Sequence, residues 1–194
     1  MVKYHSTRGH KDTLSFEDVI LSGIASDKGL YLPDSTTIEN LSNLTVENLS
    51  YEDFVKTIFI ALDNKAGKYV DDLSIYPGFS DSPEPVLKDL NKSTVVMELF
   101  HGPTKSFKDY ALQPLGAIAN RRLSELGERG LVIVATSGDT GSAAIQAVKS
   151  SDNIDIVVLH PANKVSEYQR KQMTSIVQDN VLNIAVEGSY DDCQ

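Results

Sequence analysis

The sequence predicts an α/β protein: a parallel β-sheet flanked by helices, preceded by a mainly helical N-terminal domain. Three observations carry that class. After residue 85, short apolar runs, TVVMELF (94–100), LVIVATS (131–137), IDIVVLH (154–160) and NVLNIAVEG (180–188), alternate with helical stretches such as ALQPLGAIANRRLSEL (111–126) and SAAIQAVKSS (142–151). Near-continuous Val, Ile and Leu in short strands separated by helices marks a parallel sheet buried on both faces. Before residue 85, apolar residues recur at helical spacing instead. Between the two lies PGFSDSPEPVLKDL (77–90), with three prolines. Proline fixes its own φ and biases the preceding residue away from helix, so this run divides domain 1–85 from domain 86–194.

In chain order, SFEDVILSGI (15–24) reads as a short helix with Ser15 as N-cap and Asp18 closing a capping box. Ser50 and Asp53 repeat that device ahead of YEDFVKTIFIAL, where Phe54, Val55, Ile58 and Leu62 form an apolar stripe. Between these helices LYLPDSTTIENLSNLTVENLS is rich in Ser, Thr and Asn with little period, and reads as loop with short pieces. Pro114 inside the 111–126 pattern predicts a kink or a short first segment. SYDDCQ (189–194) reads as the start of a further helix with no completed crossover behind it. The sheet and its second helical layer are therefore expected to be truncated, and the chain to be a fragment of a longer protein.

The totals exclude several functions. With 41% hydrophobic and 23% charged residues the composition is that of an ordinary globular protein, and no apolar run reaches membrane-spanning length. The start, MVKYHSTRGHKD, has neither the apolar core of a secretory signal nor the composition of an import peptide, so a cytoplasmic location is expected. A single cysteine, Cys193, gives no disulfide framework and no metal-ligand cluster. The formal charge of −9 disfavours nucleic acid, whose affinity rests on neutralising phosphates. Asn-x-Ser/Thr sequons at Asn40, Asn43, Asn48 and Asn91 read as polar loop composition. Nothing in the sequence sets an oligomeric state.

Two loops carry the residues of chemical interest. In LVIVATSGDTGSAAIQAV, Gly138 and Gly141 permit close backbone approach. Ser137, Thr140 and Ser142 offer hydroxyls, and the next helix offers unpaired N–H groups and the positive end of its dipole. The segment reads either as an anion site or as a tight capped turn. It has neither the Gly-Lys-Ser/Thr of a phosphate-binding loop nor the G-x-G-x-x-G of a dinucleotide fold. Asp139 suits a hydrogen bond to a hydroxyl better than contact with a phosphate. The second segment, FHGPTKSFKD (100–109), has two lysines three residues apart behind a Gly-Pro turn. Ser106 and Asp109 have capping-box spacing, which puts Lys108 in the first turn of a helix, where the dipole and partial burial favour the neutral amine. A neutral amine attacks carbonyls to make a Schiff base. Phe107 and Tyr110 stand ready to shield the Lys108 stem, whereas Lys105 lies in the loop. The bland alternative is two solvated lysines near a turn.

These residues, FHGPTKSFKDYALQ and ATSGDTGSAA, with YHSTRG, SFEDVILSGIASDKGLYLPD and VEGSYDDC, closely resemble the threonine synthase family of pyridoxal-phosphate enzymes, from the first residues of the chain to the last. The resemblance implies the tryptophan synthase β-like fold behind the N-terminal domain distinctive of that family, and a chain that continues well past residue 194. It also implies pyridoxal 5′-phosphate as cofactor, bound covalently through Lys108, the lysine of the F-K-D triplet. Ser137, Gly138, Asp139, Thr140 and Gly141 are then expected beside the cofactor ring, with Asp139 near the ring hydroxyl. His101, Thr104, Lys105 and Ser106 are expected to line the substrate site. The position of Lys105 is often apolar in the family, so a lysine there is a departure. The family's glycine-rich loop for the cofactor phosphate has no match in 1–194, and the fragment alone is expected to be inactive.

The implied reaction converts O-phospho-L-homoserine and water into L-threonine and phosphate. A serine or threonine dehydratase of the same fold is disfavoured by the segment from YHSTRG to YLPD. A non-catalytic threonine-synthase-like protein that binds a ligand or partner is disfavoured by the retention of Lys108 and the SGDTG loop. A nucleotide-binding module lacks its lysine and third glycine.

Overall fold

The computed structural model describes residues 2–45, 47–71, 74–80 and 82–194, without the side chains of residues 36 and 40. The chain divides into two compact units, Met1–Ser74 and Ile75–Gln194. The proline-rich run 77–90 falls in the second, with its Asp81 outside the described residues.

The first unit carries strands that the sequence reading leaves in loops. β1 (Tyr4–Ser6) pairs antiparallel with β2 (Thr13–Leu14) on one side and β3 (Tyr31–Pro33) on the other. Strands of two or three residues are too short to show a period in sequence. Helix α1 (Phe16–Ser22) begins as expected: the Ser15 hydroxyl accepts from the Asp18 amide at 3.3 Å. The reciprocal bond differs from a capping box, because Ser15 Oγ itself donates to the Asp18 carboxylate at 2.6 Å. After α2 (Ser35–Ser42), Ser50 repeats the arrangement at the head of α3 (Tyr51–Leu62), whose apolar stripe is half-buried. A 3-10 turn over Asn64–Ala66 runs into α4 (Gly67–Val70). The buried rings of Tyr4, Phe16 and Tyr69 form the centre, with Phe16 6.3 Å from Tyr4 and 6.4 Å from Tyr69. Glu17 accepts from Lys65 (2.8 Å), Lys68 (2.6 Å) and Tyr69 (3.1 Å). The Lys65 and Lys68 bonds, ahead of the opposing cost of burial, pull its carboxyl down to about 2.

The second unit opens with a hairpin, β4 (Val86–Asn91) against β5 (Thr94–Glu98). This corrects the expectation that 94–100 joins the parallel sheet. Two residues separate β4 from β5, which allows only an antiparallel return, whereas a parallel neighbour needs a crossover of a dozen residues or more. Asn91 closes the turn by accepting from Ser93 N (3.0 Å) and Ser93 Oγ (3.1 Å).

Beyond it, β6 (Gly130–Ala135), β7 (Ile154–Pro161) and β8 (Val181–Val186) form a parallel sheet in the order β6-β7-β8, with Ile133, Val157 and Leu182 in register. Helices α5 (Asp109–Leu126), α6 (Asp139–Val148), α7 (Glu167–Thr174) and α8 (Tyr190–Cys193) complete the unit. Ile154, Ile156 and Val158 on one face of β7 pack with Leu123, Ile145, Val148 and Met173 from three of those helices. Side chains alternate along a strand, and on the opposite face Leu131, Ile133 and Leu182 remain more than half exposed. Within these residues the helices cover one face of the sheet. Pro114 neither ends nor shortens α5, which is continuous over 18 residues. Its missing N–H frees the carbonyl four residues earlier, Tyr110 O, and the Tyr76 hydroxyl donates to that oxygen at 3.0 Å. Among the described residues no helix is long and apolar enough to cross a membrane, and no group of His, Cys, Asp and Glu is placed to hold a metal ion.

Candidate active site

The turn that leads into α5 is organised by a buried carboxylate. Asp109, fully enclosed, accepts from the Thr104 amide and the Thr104 hydroxyl, both at 2.9 Å. Burial raises its pKa, outweighing those two bonds and the positive charge of Lys105. Because Asp109 turns back to Thr104, the Ser106–Asp109 capping box read from the sequence does not form. The helix starts at Asp109 with Lys108 in the cap position, and Ser106 Oγ accepts from the Lys108 amide at 3.3 Å. Lys105 sits in the left-handed region (φ 63), with its amide donating to Gly102 O at 3.1 Å.

The Lys108 side chain reaches towards the second loop. Its Nζ lies 3.9 Å from the Asp139 carboxylate and 5.5 Å from the centre of the Phe107 ring. That separation is an ion pair without a hydrogen bond, which leaves the amine available for covalent chemistry. Lys108 is partly exposed.

The loop between β6 and α6 is organised by a buried hydroxyl. Thr136 Oγ1 accepts from Gly138 N (2.9 Å) and Gly141 N (3.0 Å), and Ser142 N and Oγ donate to Gly138 O at 3.1 and 2.9 Å. Gly138 has φ 144, which side-chain-bearing residues rarely adopt, and a Cβ there would lie 2.5 Å from the Gln169 amide carbon. Ser137 and Asp139 face solvent, while Gly138, Gly141 and Ser142 are buried. Of the hydroxyls singled out in sequence, Ser142 is committed to this internal bond.

Lys108 and Asp139 are therefore brought together, and Thr104 and Ser106 lie buried in the turn that carries Lys108. His101 and Lys105 face elsewhere. With Ser80, Ser82 and Glu84 they line a cavity of about 560 Å³, where His101 Nε2 pairs with Glu98 at 2.9 Å.

Three residues escape the sequence reading. Thr136 directly precedes the SGDTG run, and its acceptor role is signalled only by the need of two glycine amides for a partner. Gln169 and Gln172 lie on α7: Gln169 Nε2 donates to Asp139, and Gln172 Nε2 donates to Thr104 O at 2.8 Å. No motif announces either.

The comparisons follow this geometry. Residues 3–64 match the family profile described as Threonine synthase N terminus. Threonine synthase of Pseudomonas aeruginosa is 45% identical over the whole chain, which covers 42% of that protein. Threonine synthase of Methylobacillus glycogenes is 36% identical, again over the whole chain and 43% of the relative. Among solved structures, a PLP-bound threonine synthase from Brucella melitensis superposes with TM-score 0.85 at 37% identity, over 100% of this chain and 43% of that one. The chain spans about two fifths of the length of the relatives it matches, and over that span its fold is that of threonine synthases.

Proposed function

We propose, from a chain that carries a threonine synthase N-terminal region and a threonine synthase fold throughout, that the whole protein converts O-phospho-L-homoserine and water to L-threonine and phosphate with pyridoxal 5′-phosphate. The observation that carries the proposal is the Lys108 amine, carried by the N-cap residue of α5 and 3.9 Å from Asp139, too far for a hydrogen bond between the two. An amine so placed, next to a carboxylate and a glycine loop, fits the aldehyde and ring hydroxyl of this cofactor. When bound, the cofactor supplies an electron sink for negative charge at the substrate carbon.

The chain's own residues do the rest. Lys108 Nζ is the group that would hold the cofactor aldehyde, and with the substrate in place it would move protons at Cα, Cβ and Cγ as general base and acid. Phosphate leaves from Cγ, and water adds at Cβ. Ser137, Gly138, Asp139, Thr140 and Gly141 would hold the cofactor ring, with Asp139 the acceptor suited to its hydroxyl. Thr104 and Ser106 border the substrate in the turn that carries Lys108, while His101 and Lys105 line the adjoining cavity, where the Lys105 cation would receive an anionic group of the substrate. A cytoplasmic setting suits this small-molecule chemistry.

The test is phosphate release from O-phospho-L-homoserine by the full-length protein, comparing wild type, Lys108→Ala and Lys105→Ala. Loss of turnover in Lys108→Ala with a raised KM in Lys105→Ala is expected. Retained turnover in Lys108→Ala contradicts the assignment.

A further inference from the structure

We infer that α7 is a clamp that fixes Lys108 against Asp139, with Gln169 and Gln172 as positioning residues for the lysine. The inference rests on the function proposed above, and its first observation is geometric. Positions 169, 172 and 173 are three and four apart, so they share one face of the helix. Met173, fully buried, anchors that face in the core, and a Cβ added to Gly141 would meet its sulfur at 2.8 Å. The same face therefore reaches the floor of the SGDTG loop through Met173, its outer edge through Gln169, and the Lys108 turn through Gln172.

The second observation is chemical. A carboxylate and a backbone carbonyl only accept, so each glutamine must present its NH2 group. The Ser166 hydroxyl, which caps α7 by accepting from the Gln169 amide at 3.3 Å, donates to Gln169 Oε1 at 2.9 Å. That bond sets which end of the Gln169 amide faces Asp139. Gln172 joins residues 68 apart in sequence, and Gln169 residues 30 apart. Two loops from different parts of the chain are so tied to one rigid helix, and the gap between Lys108 and Asp139 is set by the tie rather than by a direct bond.

The experiment has two arms in the full-length protein. Without cofactor, hydrogen exchange of the amides of Gly102 and residues 104–108 reports the clamp itself. Gln172→Met, which keeps the shape and removes the donor, is expected to speed that exchange about tenfold, the effect of losing one net hydrogen bond. The amides of β7 should stay unchanged. With pyridoxal phosphate added, the visible band of the lysine-bound cofactor is titrated against pH. Gln169→Glu sets a second carboxylate beside Asp139 and is expected to raise the midpoint by about one pH unit, because added negative charge favours the protonated nitrogen. Gln169→Met should move it by less. A merely structural role would lower the thermal midpoint without shifting the titration. Unchanged exchange in Gln172→Met together with an unshifted titration in Gln169→Glu overturns the inference alone. Absence of any visible band in wild type overturns the cofactor reading, and this inference with it.

Discussion

The turn before α5 and the loop before α6 solve one problem in two ways. Each leads into a helix whose first amides lack partners, and each uses a buried side chain two or more residues away to satisfy them or their neighbours. Before α6 that side chain is neutral: Thr136 takes two amides, and the carboxylate of the loop, Asp139, stays outside. Before α5 the side chain is the carboxylate, with Asp109 drawn inward onto Thr104, and the charged group left outside is the amine of Lys108. One turn thus exposes an acid and the other a base, 3.9 Å apart. Neither loop alone offers more than a capped turn, and the pair of opposite charges exists only because the two loops meet.

The largest effect is expected where the exposed group is removed. Lys108→Ala should lower phosphate release at least a thousandfold, the scale of a lost proton-transfer group, while Lys105→Ala stays within about tenfold. Equal losses in the two would erase the distinction between them. Next come the buried organisers. Asp109→Ala leaves the Thr104 amide and hydroxyl without acceptors and should cost about 2–3 kcal/mol in urea unfolding. Thr136→Val keeps the shape but orphans the Gly138 and Gly141 amides, and about 1–3 kcal/mol is expected. A loss below about 0.5 kcal/mol in either would show that water replaces the organiser.

The smallest effect is electrostatic and separates two acids, Glu17 and Asp109, by sign. Glu17 has its pKa lowered to about 2, so the stability it contributes is present above pH 4.5 and is lost as pH falls towards 2. Asp109 is raised, so the folded state holds its proton more tightly, and stability falls as pH rises from the ordinary carboxylate range through the raised value. Glu17→Gln should therefore flatten the acid limb of a stability-pH curve by about 1 kcal/mol, a partly exposed ion pair being worth little more. Asp109→Asn should act in the opposite pH direction.

What was legible in the sequence follows from where the physics is local. The parallel strands at 130–135, 154–161 and 181–186, and the helices beginning after Ser15 and Ser50, announce themselves by composition and by caps within four residues. The meeting of Lys108 with Asp139 was reachable only through family resemblance, because no spacing rule relates residues 31 apart across a crossover. The antiparallel pairing of 94–98 with 86–91 is not legible in an apolar run, which says nothing about the direction of its neighbour; the two-residue turn at Lys92-Ser93 decides it. Asp109 has capping-box spacing from Ser106, yet Thr104 offers two donors where a capping box offers one, and the carboxylate goes to Thr104. Helix α7 is polar apart from Met173 and the exposed Tyr168, so its organising face carries almost no hydrophobic signal.

The central claim is that Lys108, and not its neighbour Lys105, is the reactive amine. Its most direct test is to incubate the full-length protein with pyridoxal phosphate, reduce with borohydride, digest and locate the added mass by tandem mass spectrometry. The account predicts the pyridoxyl group on Lys108 alone. Label on Lys105, or spread evenly over both lysines, would contradict it.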